Sequence, residues 1–329
     1  MMVMRSDRHS LILGCVLGFL VLLGGCHGGS LNKNFYRKSC PLAEEIVRNA
    51  TWRHVAANIA LPARFLRMHF HDCFVRGCDG SVLLNSTKNN TAEKEAIPNL
   101  TLAGFDVIDD IKAEVEKKCP GVVSCADILA LAARDSVSFQ FKRSMWKVLT
   151  GRRDGTVSLA SEALANIPSP FLNFTALQQN FANKGLSVRD LVVLSGAHTI
   201  GVGHCNAFSV RLYNFTGKGD QDPSLNSTYA ASLKNQCKNL TDNTTFVPMD
   251  PITPLSFDTR YFTVLRQRRG LFESDAALLT NPNSASITQE MLNSRRFFKS
   301  FRTSIKRMGA ISVLTGKSGE IRKVCSKIN

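Results

Sequence analysis

The densest chemistry in the chain lies in the segment Arg67-Met-His-Phe-His-Asp-Cys-Phe-Val-Arg-Gly-Cys-Asp-Gly-Ser81. Arg67 and His71 are four residues apart, so on a helix they share one face. A neutral imidazole beside a guanidinium can take a proton and stabilise an emerging negative charge in one place. The plainer alternative is a core histidine next to a surface arginine. A third reading makes His69 and His71 ligands of one metal, but residues two apart on a helix point to different sides. Directly after His71 comes an oxygen-rich loop with Asp72, Asp79 and Ser81 set around Gly77 and Gly80. Hard cations such as calcium take six to eight oxygen ligands. Cys73 and Cys78 can close this loop into a ring, which favours a pre-shaped cation site over a solvated acidic turn.

These side chains need helices to carry them. Residues 62–75 open at Pro62, a residue favoured in a first helical turn. Residues 44–60 read as an amphipathic helix with Ile46, Ala50 and Ile59 among its apolar positions, and residues 106–118 carry Ile108, Ile111 and Val115 at helical spacing. Ser124 with Asp127, and Ser187 with Asp190, form S-x-x-D start signals before ILALAARDSV and LVVLSGAH. Residues 258–268 and 289–308 complete the helical pattern. Strand signals are few and short, and no tandem repeat or low-complexity tract interrupts the chain. The fold class is mainly α: one helical domain over residues 31–329 with long connecting loops.

The 329 residues are 44% hydrophobic and 20% charged, which excludes a disordered, collagenous or coiled-coil chain. Arg5 and Arg8 precede an apolar run from Leu11 to Leu23, followed by small residues up to Ser30. That order describes a secretory signal peptide over residues 1–30, cleaved at about residues 26–30. The run is short for a membrane span, which needs about 20 apolar residues. A soluble, secreted, extracellular protein is expected, with no membrane attachment once the signal is gone, and a monomer. Lys plus Arg number 41 against 26 Asp plus Glu; losing Arg5, Arg8 and Asp7 lowers the net charge only from +15 to +14. Such a balance favours acidic surroundings. With no long basic block and no interleaved aromatic platform, nucleic acid is excluded in favour of an acidic cell-wall polysaccharide. Cys40, Cys73, Cys78, Cys119, Cys125, Cys205, Cys237 and Cys325 remain after signal removal. An even number in an oxidising compartment reads as four disulfides, with about 105 pairings open. Asn-x-Ser/Thr sequons occur at Asn49, Asn85, Asn89, Asn99, Asn173, Asn214, Asn226, Asn239 and Asn243, so a glycoprotein is expected.

The string LRMHFHDCFVRGCDGSVLL resembles the distal helix and loop of the secretory plant haem peroxidases (class III). The likeness continues through AEKEAIPN, SCADILALAARDSV, GRRDG, LSGAHTIG, RLYNF, FDTRYF and ESDAAL to Cys325, in the family's order and spacing. The resemblance implies a mostly helical domain with haem b between a distal and a proximal half. It implies an enzyme that uses hydrogen peroxide to oxidise small phenolic donors, including lignin precursors and wall phenolics, in two one-electron steps. His71 would move a proton from one peroxide oxygen to the other, Arg67 would stabilise the developing charge, and Phe70 would shield the distal face. Asn99 would accept a hydrogen bond from the other ring nitrogen of His71, which makes its sequon a doubtful glycan site. His198 would be the axial iron ligand and Asp275 its buried carboxylate partner.

Two calcium sites are also implied. The first would use Asp72, Val75, Gly77, Asp79 and Ser81, with Glu93 reaching it through water. The second would use Thr199, Asp250, Thr253, Ser256 and Asp258. The implied disulfides are Cys40–Cys119, Cys73–Cys78, Cys125–Cys325 and Cys205–Cys237. Pro168 would stand at the haem edge with Ile97, Pro98, Ser169 and Ala207, where phenols dock. Two positions depart from the family: SFQFKRSMW carries Lys142 and Arg143 where many members have a Gly-Gly-Pro turn, and Ala103 replaces a common arginine. The competing reading is a non-enzymatic, polysaccharide-binding wall glycoprotein, which would need none of Arg67, His71 and His198.

Overall fold

The computed structural model describes residues 31–329, so the expected signal peptide at 1–30 lies outside the described residues. The chain runs α1 (Ala43–Ala57), α2 (Leu61–Val75), α3 (Phe105–Lys118), α4 (Cys125–Phe141), α5 (Ala160–Asn166), α6 (Phe174–Asn183) and α7 (Val188–Ser195). It continues with α8 (Val210–Tyr213), α9 (Ser227–Gln236), α10 (Arg260–Arg266), α11 (Glu273–Ala277), α12 (Pro282–Glu290) and α13 (Ser294–Met308). Two three-residue strands, β1 (Val202–His204) and β2 (Phe246–Pro248), pair antiparallel with Gly203 opposite Val247.

α4 is the axle of the first half. Every residue from Cys125 to Ser138 is buried, and α1, α2 and α3 pack around it. With the helix buried on all sides, the unpaired N–H groups of its first turn need protein partners. Ser124 Oγ accepts from Asp127 N–H (3.1 Å). The Asp154 carboxylate, from the GRRDG segment, accepts from Cys125 N–H (3.1 Å) and Ala126 N–H (2.9 Å). Asp127 does not close a box back onto Ser124; its carboxylate instead accepts from Arg152, from the Tyr36 hydroxyl and from Gly151 N–H.

The second start signal is a complete capping box: Ser187 and Asp190 exchange side-chain and backbone hydrogen bonds at the head of α7. Asp190 also accepts from the Ser304 hydroxyl (2.8 Å) and from Arg307, which docks α13 on α7. The expected helix over 289–308 is two helices, because Asn293 Oδ1 accepts from Arg296 N–H and starts α13 afresh. α4 ends at Lys142, which adopts a left-handed conformation (φ 53°) without glycine. Its ammonium rests 3.5 Å from the centre of the Phe139 ring. That cation–π contact offsets part of the backbone strain, and this is how the chain makes the turn that its departing sequence must make.

A main core spans α1–α4, α6, α7, α10, α12 and α13, and a smaller cluster sits around β1, β2, α8 and α9. The disulfides are Cys40–Cys119, Cys73–Cys78, Cys125–Cys325 and Cys205–Cys237. They tie α1 to α3, close the loop after α2, anchor the C-terminal segment to α4 and brace the smaller cluster. Among the described residues, no helix is long and apolar enough to cross a membrane. The basic residues are less evenly spread than the sequence suggested: α13 carries Arg295, Arg296, Lys299, Arg302, Lys306 and Arg307.

Candidate active site

α2 is rigid where the site needs it. Ten of its residues, including Phe65, Met68, His71 and Phe74, are buried. Arg67 and His71 stand one turn apart on one face. Phe70 packs on Phe74 (ring centroids 4.4 Å) and lies 5.3 Å from the His71 ring. His69 projects elsewhere, into a cleft with Trp146, Arg152 and Gly309. It does not share a ligand with His71. His69, Asp72 and Cys73 come close together, but Cys73 is spent on its disulfide.

The short 3-10 turn Ile97–Asn99 faces this helix. Asn99 Nδ2 donates to the Glu93 carbonyl (2.7 Å), which can only accept. Asn99 Oδ1 therefore faces His71, and His71 Nδ1–H donates to it at 2.5 Å. The tautomer follows: Nδ1 carries the proton and Nε2 keeps its lone pair. Burial, and secondarily the Arg67 charge, push the His71 imidazole down to about 3, against the smaller opposing effect of Asn99. His71 is thus neutral at ordinary pH. The Arg67 guanidinium is held to the same turn, donating to the Pro98 carbonyl (2.7 Å) and the Thr101 hydroxyl (2.9 Å). Asn99 is 1% exposed, so its amide is closed to a glycan.

The proximal residues come from the segment after α7. His198 sits in the 3-10 turn Gly196–Thr199. His198 Nδ1 meets Asp275 Oδ1 at 2.8 Å, while Asp275 also accepts from Phe272 N–H (2.9 Å) and from the Tyr261 hydroxyl (2.9 Å). Burial would raise the Asp275 carboxyl, but His198, Phe272 and Tyr261 together hold it below the usual range. His198 is 37% exposed at the side chain against 2% for Asp275. Its Nε2 has no hydrogen-bond partner among the described residues, so one nitrogen is pinned and the other is open. The glycines of LSGAHTIG are packing requirements. A Cβ on Gly196 would come within 2.6 Å of the Phe297 ring, and one on Gly201 (φ +99°) within 3.1 Å of Ala63 on α2. That approach brings the proximal segment against the distal helix. Tyr261 lies within the FDTRYF string, yet nothing there assigned its hydroxyl a role, because a hydroxyl in an aromatic run has no local pattern.

Beside His71 the oxygen cluster is real. Asp72 and Asp79 are buried together with Glu93 and Ser81. Asp72 accepts from Gly80 N–H (3.1 Å), and Asp79 from Ser81 N–H (3.0 Å). Ser81 Oγ and both Glu93 carboxylate oxygens are buried with no hydrogen-bond partner. Burial, then mutual repulsion, raises Asp72 well above the carboxylate range, and burial pushes Glu93 up to about 8. Such buried, unpartnered oxygens suit a hard cation. The carbonyls of Val75 and Gly77 already accept from Lys184 Nζ (3.2 Å) and Asp79 N–H (2.8 Å), each leaving a second lone pair. Gly77 (φ +101°) lies under Ile311 and Ser312, whose carbonyls a Cβ would strike at 2.7 and 2.6 Å.

Arg322 was not anticipated. Its buried guanidinium donates to the carbonyls of Gly80 (2.6 Å), Asp79 (3.3 Å) and Cys325 (2.5 Å), strapping the C-terminal segment over the loop. In the second predicted cluster Thr199 Oγ1 donates to Asp258 Oδ1 (3.1 Å) and the Ser256 carbonyl (3.4 Å). Asp250 accepts from the Thr253 hydroxyl (3.0 Å). Ser256 N–H donates to the Thr253 carbonyl (3.0 Å), which joins the two groups. Pro168, just beyond α5, is half-buried, and α5 packs on the turn bearing the 76%-exposed Ile97.

Comparison with known proteins agrees with this geometry. Residues 47–294 match the family model described as Peroxidase. The chain is 54% identical to Peroxidase 3 of Arabidopsis thaliana over 94% of its own length and 96% of that protein's. It is 55% identical to Peroxidase 24 of the same plant over 92% and 88%, and 53% identical to Peroxidase 39 over 91% and 93%. A non-enzymatic wall protein is not favoured by these likenesses. The chain belongs to the peroxidase family as a class III haem peroxidase of the plant type, a hydrogen-peroxide-dependent oxidoreductase.

Proposed function

We propose that the site holds haem b on His198 and oxidises small phenolic donors at the expense of hydrogen peroxide. The donor set suits the group: His198 Nε2 is free while its Nδ1 is bound to a buried carboxylate, which makes the imidazole a stronger donor. Bound haem supplies the redox chemistry. His71 Nε2 takes a proton from one oxygen of hydrogen peroxide and returns it to the other, which leaves as water. Arg67 stabilises the negative charge on the departing oxygen. Asn99 keeps the His71 proton on Nδ1 throughout. The observation that carries the reading is this tautomer lock, with Arg67 one turn away.

Phenols are the donor class because the turn beside α5 exposes Ile97 next to Pro98 and offers little polar selectivity. Asp72, Val75, Gly77, Asp79 and Ser81, backed by Glu93, would hold one calcium. Thr199, Asp250, Thr253, Ser256 and Asp258 would hold a second. The protein acts outside the cell, in the wall space, as a monomeric glycoprotein. Its net charge of +14 after signal removal supports an acidic polysaccharide as a companion.

The test is the visible spectrum of calcium-loaded protein before and after one equivalent of hydrogen peroxide. A haem band that shifts with peroxide and returns with a phenol is expected. His71→Ala should slow the first shift by roughly 10²–10⁴-fold while leaving the band in place. Folded protein with no haem band, or a band indifferent to peroxide, would sink the proposal.

A further inference from the structure

α13 is two-faced. Phe297, Phe301, Ile305 and Met308 are buried at intervals of four, four and three residues. Arg295, Lys299, Arg302 and Lys306 lie on the outside at intervals of four, three and four residues, and all four are exposed. With a rise of about 1.5 Å per residue they form one straight stripe roughly 16 Å long. None of the four has a carboxylate within ion-pair distance, or any side-chain hydrogen bond, among the described residues. The flanking cations differ. Arg307 pairs with Asp190, and Arg296 acts on Glu290, which is bridged to Arg189. No Asp or Glu occurs from residue 291 to residue 319.

Local stability does not account for such a stripe. Like charges three and four residues apart repel on a helix, and Arg295 stands in the first turn, where the helix dipole disfavours a cation. The stripe also has flanks. Phe298, one turn from both Arg295 and Arg302, packs on Phe141 (5.6 Å), so the exposed Lys142 and Arg143 continue directly from its neighbour. At the other end, exposed Lys147 lines the same surface cleft as Lys306. The Lys142-Arg143 pair, standing where many family members have a neutral turn, thus adds charge beside this helix.

We propose that the outer face of α13, flanked by Lys142, Arg143 and Lys147, is a docking strip for a linear polysaccharide bearing a carboxylate on each sugar. This rests on the polysaccharide reading above and gives it a site. A straight, evenly charged strip fits a stiff polymer with regularly repeated single charges. Insertion into a lipid surface needs exposed apolar residues beside the charges, and every large apolar residue of α13 except the half-buried Phe298 is buried. Single-stranded nucleic acid is held on aromatic platforms beside the charges, and none is exposed on this helix. The strip shares no residue with the haem or calcium sites, so the polymer binds without blocking the pocket.

The experiment compares three holoproteins for affinity to short de-esterified polygalacturonate oligomers over a salt series. They are the wild type, the variant Arg295→Gln/Lys299→Gln/Arg302→Gln/Lys306→Gln, and the control Lys38→Gln/Lys117→Gln/Lys118→Gln/Lys323→Gln, which loses the same charge elsewhere. The strip variant should bind at least ten-fold more weakly with a flatter salt dependence, the control within about two-fold of wild type. Peroxide turnover with a small phenol should be unchanged in all three. If the quadruple variant misfolds, Lys299→Gln and Arg302→Gln singly should each lower affinity measurably. Equal losses in strip and control variants, or none in either, would overturn the location while leaving the polysaccharide reading intact. A wild type that ignores the oligomers would end both. Tighter binding of anionic vesicles or duplex DNA through the same four residues would overturn the choice of partner.

Discussion

Asn99 decides what His71 can do. A buried imidazole pushed down to about 3 is neutral, but neutrality alone does not say which nitrogen holds the proton. The amide of Asn99, oriented by the Glu93 carbonyl, settles that. Asn99→Leu should therefore slow the reaction with peroxide by about 10–100-fold, measured as the second-order rate of the spectral shift, with the haem band retained. On the other side, Tyr261 competes with His198 for the same oxygen of Asp275. Tyr261→Phe returns that oxygen to His198 alone, which makes the imidazole the stronger donor. The ferric–ferrous midpoint of the loaded protein should move to more negative potential, read by spectroelectrochemical titration; an unchanged or more positive midpoint would refute the argument. Arg67 and His71 were legible because one helical turn relates them. Asn99 and Asp275 lie 28 and 77 residues from the histidines they serve. No periodicity spans that gap, and only resemblance joined them. Arg322 had neither pattern nor resemblance to announce it, and Tyr261, though inside the FDTRYF string, carried no assigned role.

The elements were legible where their starts are local. Ser124 and Ser187 each begin a helix, and Pro62 marks the first turn of α2. The sequence could not show that Asp127 would be drawn away to Arg152, since that partner comes from another segment. It also joined α12 to α13, because an apolar rhythm runs across the cap at Asn293. Asp190 ties two elements at once. Burial raises its carboxyl, yet Ser187, Ser304 and Arg307 together hold it below the ordinary value of 3.8. A carboxylate with a depressed folded value contributes stability above its unfolded value and loses it as pH falls through the folded one. This link between α7 and α13 is therefore intact at neutral pH and fails only below about pH 4. Asp190→Ala should cost about 2 kcal/mol and lower the melting temperature by about 3 °C at neutral pH, with the deficit shrinking toward pH 3. At the end of α4, Lys142→Ala keeps the left-handed turn but loses the ring contact, so it should cost about 1 kcal/mol. Lys142→Gly relieves the strain and should be nearly neutral. Urea midpoints distinguish the two.

At the scale of the molecule, the distal oxygen cluster is a liability without a counter-charge. Asp72, Asp79 and Glu93 are buried side by side, and each is raised by burial toward the neutral acid. Chelating calcium from the holoprotein should lower its melting temperature by about 4 °C, as expected for losing a ligand present at about 100 times its dissociation constant. Restoring calcium, but not magnesium, should recover it, because the smaller ion gives up its water reluctantly. The C-terminal strap has a further consequence, in time rather than space. Cys125 and its partner Cys325 are 200 residues apart in the chain. At roughly 5–20 residues per second, Cys125 emerges from the ribosome about 10–40 s before that partner exists. Throughout that interval Cys119, six positions upstream, is the thiol within easiest reach, and it is itself owed to Cys40. A newborn chain that oxidised too eagerly would join the wrong pair and leave the segment bearing Arg322 without its anchor on α4. The tempo of oxidation during synthesis, and not only the finished contacts, thus governs how many copies of this enzyme mature.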